Sequence, residues 1–291
     1  MAQEIEPQAL LMIRHPSWGW LRVFFFGCAL FVITTIVMFV TGNPNLYPTV
    51  ILIGNFLVPI VFVTFLYDHQ HLSTLPAITI IQSFILGGIF GVLGASILEP
   101  LIIPASASNQ GLTLSGALVV GLIEEGCKAV AVVIVARHVQ HDREIDGVLL
   151  GGAVGMGFAA LESTGYAFTI FLASQGAVGA SIIETVLRGA LAPFGHGVWT
   201  AILGAVLFRQ SGPRHFRLTV SVVLAYLLVA LLHGLWDGFP RIQFLMLPLG
   251  IRVSVASIVI NLAGIIILGG LWRQALSRAP QPPSVETPIE R

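Results

Sequence analysis

The residues able to do chemistry in this chain are few, and they sit where they are expensive. Glu124, Glu125 and Lys128 interrupt one apolar stretch, and Glu162 follows Phe158 in the next. His196 stands between two glycines in a third stretch, and His233 and Asp237 close a fourth. Carboxylates and imidazoles move protons at neutral pH and are also ligands for hard and borderline metal ions. An ionisable side chain at the centre of a membrane helix costs roughly 2.5–3.5 kcal/mol on insertion scales, so retaining several needs a reason.

Helical spacing sorts these residues. Glu124 and Lys128, four apart, share a face with the carboxylate on the favourable N-terminal side, while Glu125 is rotated by about 100°. One carboxylate can then be neutralised while the other remains available. His233 and Asp237 are also four apart, so Asp237 can orient the imidazole or both can face a common centre. Structural roles exist for single members: Lys128 as an ordinary ion-pair partner, His196 as a packing hydrogen bonder, Phe158 as core. Glu184 and Arg188, again four apart, read as a structural or interfacial pair. The joint set of three carboxylates and two histidines on four successive stretches exceeds what packing requires.

The elements that position these groups are membrane helices. Of 291 residues, 56% are hydrophobic and 10% charged, and the mean hydropathy is +0.91, far more apolar than soluble domains with about 25% charge. Stretches of the length needed to cross a bilayer fall at about 21–41, 49–67, 76–98, 112–136, 146–172, 183–208, 218–239 and 248–272. This predicts an all-α polytopic bundle of about eight transmembrane helices. Continuous apolar runs without period-2 alternation argue against a β-barrel. Glycines such as Gly87, Gly88, Gly91 and Gly94, and Gly151, Gly152, Gly155 and Gly157, allow close helix approach. Residues 1–20, with Trp18 and Trp20, read as an interfacial segment and 21–273 as the transmembrane domain. Residues 274–291, proline-rich from Ser277, read as a disordered tail. The first run is longer than a signal-peptide core and lacks a cleavage pattern, which predicts a retained helix.

A formal net charge of zero offers no basic surface for nucleic acid. Cys28 and Cys127 lie in apolar runs without C-x-x-C spacing, so no disulfide or cysteine metal site is expected. With eight spans, Arg14, Arg22, Arg137, Arg143, Arg209, Arg214, Arg217, Arg273, Arg278 and Arg291 fall on one side, and only Arg241 and Arg252 on the other. The positive-inside rule then places both termini in the cytoplasm of a multi-pass cell-membrane protein.

Glu124-Glu125-x-x-Lys128, Phe158-x-x-x-Glu162, His196 and His233-x-x-x-Asp237 resemble the E-E-x-x-K, F-x-x-x-E, H and H-x-x-x-D motifs of PrsW-type intramembrane proteases. The resemblance covers roughly residues 50–240, with the four motifs in order on separate spans. The wider CAAX-protease-like superfamily includes type II prenyl proteases, whose E-E-x-x-x-R, F-x-x-x-H and H-x-x-x-N patterns depart from this chain at Lys128, Glu162 and Asp237. The resemblance implies hydrolysis of peptide bonds in membrane-anchored substrates, such as anti-sigma-factor-like regulators. It implies a catalytic set of Glu124, Glu125, Lys128, Glu162, His196, His233 and Asp237. The preferred expectation is a glutamate that activates water without a cofactor, with histidines steadying the oxyanion or protonating the amine. The alternative is Zn²⁺ held by residues drawn from His196, His233, Glu162 and Asp237, although no H-E-x-x-H pair stands on one helix. Two other function classes remain: a proton- or ion-coupled transporter, and a catalytically silent scaffold. Against the transporter, spans one to three carry no matching polar set.

Overall fold

The computed structural model describes residues 18–69, 73, 75–103, 112–239, 244–246 and 252–278. Among these, long apolar runs fold into helices because backbone polar groups in a bilayer must be satisfied within the segment. Helix α1 (Gly19–Thr41) ends at Gly42 in the left-handed region, and α2 (Tyr47–His69) follows a 3₁₀ turn. Then come α3 (Ala77–Gln82), α4 (Gly88–Ile102), α5 (Leu114–Ala136), α6 (Glu144–Ala173), α7 (Val178–Leu191), α8 (His196–Gln210) and α9 (Val220–Gly238). Strands β1 (Phe244–Met246) and β2 (Arg252–Ser254) pair antiparallel before α10 (Val255–Arg278). The last expected span therefore begins at Val255 rather than near 248, and its helix runs to Arg278. Most of the expected N-terminal interfacial segment and of the expected tail lies outside the described residues.

Seven helical stretches among the described residues are long and apolar enough to cross a membrane. Helix α5, at 23 residues, has the length of the remaining expected span. What sets it apart is charge, since Glu124, Glu125 and Lys128 sit at its middle. The chain is thus a polytopic helical bundle, with one short ribbon among the described residues.

Two expected spans are interrupted. The third passes through a π-helical turn at Ser83–Gly87 between α3 and α4, a widening that shifts side-chain register and recurs at functional sites. The sixth, expected to be continuous over 183–208, is broken by a 3₁₀ turn at Ala192–Phe194, so that α7 and α8 are separate helices. Pro193 removes a backbone donor, and Gly195 adopts φ −99°, ψ −105°, outside the helical region. This break makes His196 the first residue of α8.

Helix α6 is the hub: 94% of its most apolar stretch is buried inside the bundle, against 6% for α1. It packs tightly on α8, where Gly151 faces the Thr200 backbone and Gly155 the His196 backbone so closely that a Cβ at either glycine would collide with a carbonyl. The glycine pattern read from the sequence therefore sets how closely α8, and His196 with it, approaches α6.

Candidate active site

The charged middle of α5 faces inward. Glu125 and Lys128 are fully buried and Glu124 nearly so. Lys128 Nζ donates to Glu125 Oε1 at 2.8 Å and to Glu124 Oε2 at 3.2 Å, so the lysine spans both carboxylates instead of pairing with Glu124 alone. Its ammonium also lies 3.8 Å above the centre of the Phe158 ring on α6. Phe158 packs, as expected, and its π face meets a cation.

Both histidines enter the same space, their ring centres 4.9 Å apart. Each has one ring nitrogen held by a carboxylate and the other aimed at the cluster's centre. On His233, Nδ1–H donates to Glu125 Oε1 at 3.0 Å. Its Nε2 then faces Glu124 Oε2 at 3.5 Å and Asp237 Oδ2 at 3.3 Å. On His196, Nδ1 accepts from Lys128 Nζ at 2.7 Å, which assigns the proton to Nε2, 3.1 Å from Glu162 Oε2. Thr200 on α8 reaches the second oxygen of Glu125 at 3.4 Å, and Trp199 stacks on His233 with ring centres 5.0 Å apart. Glu125 thus has both oxygens engaged, whereas Glu124 Oε1 has no partner among the described residues.

Every sequence-predicted site residue joins this one network, in two layers. Glu124, His196 and His233 offer ligand atoms that all lie within 4.8 Å of one another. Glu162 and Asp237, also weighed as ligands, stand differently: Glu162 backs His196, and Asp237, with a third of its side chain exposed, contacts His233 from the rim. The two-histidine, one-carboxylate donor set suits zinc. So does the outer layer, since metal-bound histidines normally donate their second nitrogen to a carboxylate. The ammonium of Lys128, touching Glu124 and His196, shows that the centre already accommodates positive charge, and a metal ion there requires that side chain to swing aside.

Two contributors were not legible as site residues. Arg188, read from the sequence with Glu184, instead sends Nη2 to Glu162 Oε2 at 2.7 Å. Thr200 has no distinguishing sequence signal. A cavity of about 50 Å³ opens beside His196, lined by residues including Ser163, Arg188, Gly195, Trp199 and Trp236. It has room for a few waters.

A family profile described as PrsW family intramembrane metalloprotease matches residues 75–265, which contain the whole network. The chain belongs to the PrsW-protease family. It is thereby a member of a peptidase family. It is similar to Protease PrsW of Halalkalibacterium halodurans, with 31% identity over 103 residues, covering 35% of this chain and 42% of that protein. It is also similar to Protease PrsW of Oceanobacillus iheyensis, with 24% identity over 180 residues, covering 60% of this chain and 78% of that protein. The match to the first relative thus spans less than half of that protein's length. No solved structure matches the chain. The PrsW description names a metalloprotease, which moves the weight from the metal-free expectation toward the metal alternative.

Proposed function

We propose that this protein is an intramembrane peptidase that hydrolyses peptide bonds of membrane-anchored proteins at a metal centre held by Glu124, His196 and His233. The observation that carries this reading is that the two imidazoles, each backed by a different carboxylate, turn their remaining nitrogens toward a space they share with Glu124. Bound there, zinc would supply Lewis acidity, polarising the scissile carbonyl and making water nucleophilic at neutral pH.

The chain's own residues divide the remaining work. Glu124 Oε1, free of protein partners among the described residues, accepts the proton of the attacking water. Glu125 and Glu162 hold the two rings in the tautomers that face inward. Lys128, displaced from the metal position, would neutralise excess negative charge from the edge of the site, and its ammonium would be a donor available to a developing oxyanion. Phe158 and Trp199 pack against these groups and keep bulk water out, so each electrostatic contact acts at low dielectric.

The substrate class proposed is a single-span membrane protein, an anti-sigma-factor-like regulator being the expected example. Residues 21–273 would form the protease domain, with both termini cytoplasmic. The motif spacing supports placement near the CAAX-protease-like superfamily, on a branch distinct from prenyl-protein processing.

The test is chelation. Purified protein should contain zinc in one-to-one ratio, lose cleavage of a single-span substrate in chelator and regain it with Zn²⁺. His196→Ala and His233→Ala should lose the metal. Activity that persists in chelator, with no metal copurifying, would return the mechanism to a glutamate acting on water alone.

A further inference from the structure

The geometry points to Arg188 as a positioning residue for the site: its guanidinium fixes Glu162, and Glu162 fixes the ring of His196. The inference rests on the reading of His196 as a site residue and adds a group to which no role has been given. Arg188 and His196 address the same carboxylate oxygen, Glu162 Oε2, at 2.7 and 3.1 Å. The guanidinium is itself held in place. Its Nε donates to Ser163 Oγ at 3.3 Å, and its Cζ lies 4.0 Å from the centre of the Tyr166 ring. Glu162, Ser163 and Tyr166 all belong to α6, whereas Arg188 belongs to α7.

That placement matters because of the broken sixth span. Arg188 stands four residues before the 3₁₀ turn that delivers His196 to α8. A helix that continued through this point would fix the histidine by backbone alone. With the helix broken, the end of α7 needs its own attachment to α6, and Arg188 supplies it on the carboxylate that orients the imidazole. A planar fork can engage a carboxylate, a hydroxyl and a ring face together, which a lysine ammonium cannot. An arginine with no part in the site could pair with any acceptor in reach, and Glu184, one turn away on its own helix, offers one. Its closest ion pair is instead with the residue that holds His196.

The experiment compares wild type with Arg188→Ala, Arg188→Lys and Glu184→Gln as full-length protein in detergent. Zn²⁺ affinity is read by chelator competition. The orientation of His196 is read in metal-free protein by its rate of modification with diethyl pyrocarbonate, located by mass spectrometry. Arg188→Ala should bind Zn²⁺ at least about tenfold more weakly, the lower end expected when the partner of a ligating histidine is disturbed. Its His196 should be modified several-fold faster. Guanidinium chloride at millimolar concentration should restore both readouts in Arg188→Ala, Arg188→Lys should fall between, and Glu184→Gln should match wild type. Wild-type affinity and modification rate in Arg188→Ala would overturn the inference, as would losses that neither guanidinium nor lysine repairs. Should Arg188→Ala fail to fold, Arg188→Gln and Glu162→Gln are combined. Effects that do not add support the shared route through Glu162, and additive effects overturn it. If wild type binds no zinc, the metal reading has failed, and the modification rate alone decides the role of Arg188.

Discussion

Two acidic clusters lie at different levels of the bundle and are wired differently. At the start of α6, Glu144 faces Arg278 at 3.4 Å and Arg209 at 4.0 Å, and these arginines keep 50% and 34% of their side chains exposed. Halfway through the bundle, Glu124 and Glu125 meet a lysine with no exposure and His233, which is 2% exposed. A carboxylate at a helix end can be neutralised by long cations that still reach headgroups or water, so such a pair needs no function. Glu124 and Glu125 have no such outlet. With Glu162 and Asp237 they join one network of four carboxylates, two imidazoles and an ammonium, which is costly unless the arrangement is used.

That contrast can be broken by mutation, and the largest effect should come from Glu124→Gln. Amide for carboxylate removes both the base and the one anionic metal ligand while nearly preserving shape, so the cleavage rate should fall by at least about 10²–10⁴. Glu125→Gln should lose less, since in our reading it orients His233 rather than taking the proton. If Glu125→Gln proves the more damaging in steady-state kinetics, the two roles are exchanged.

Lys128→Met comes next and separates charge from catalysis. It leaves two buried carboxylates without their shared cation, and the folded state should lose about 3–5 kcal/mol, visible as a large drop in thermal transition in detergent. A small drop would mean that the centre is neutralised by something other than this ammonium.

At the other cluster, Glu144→Gln should cost about 1 kcal/mol or less, because its cations are partly screened, and should leave the cleavage rate within twofold of wild type. A catalytic defect there would erase the distinction between the clusters. The smallest perturbation is Ser174→Cys at the end of α6. It should leave activity unchanged and react with an impermeant thiol reagent from outside the cell; labelling only after lysis would invert the proposed topology.

What the sequence determined was the class of solution. Long apolar runs had to become helices, since a lipid environment offers backbone groups no other partner. Charges inside those runs marked the site, because each is too costly to keep idle. Spacing alone assigned Glu124 and Lys128 to one helical face and gave His233 its contact with Asp237. Only the tertiary structure decided how the helices share these groups. Spacing puts Lys128 within reach of both Glu125, three residues away, and Glu124, four away; packing encloses both carboxylates so that the one ammonium serves both. His196 reaches the centre because the sixth span breaks at Ala192–Phe194 and the glycine face of α6 draws α8 close. Arg188 illustrates the limit: its sequence neighbour Glu184 is available one helical turn away, yet its ion pair is with Glu162 on another helix. Local periodicity ranks partners along one helix, but a charge in a bundle goes to the partner that packing brings within hydrogen-bond reach.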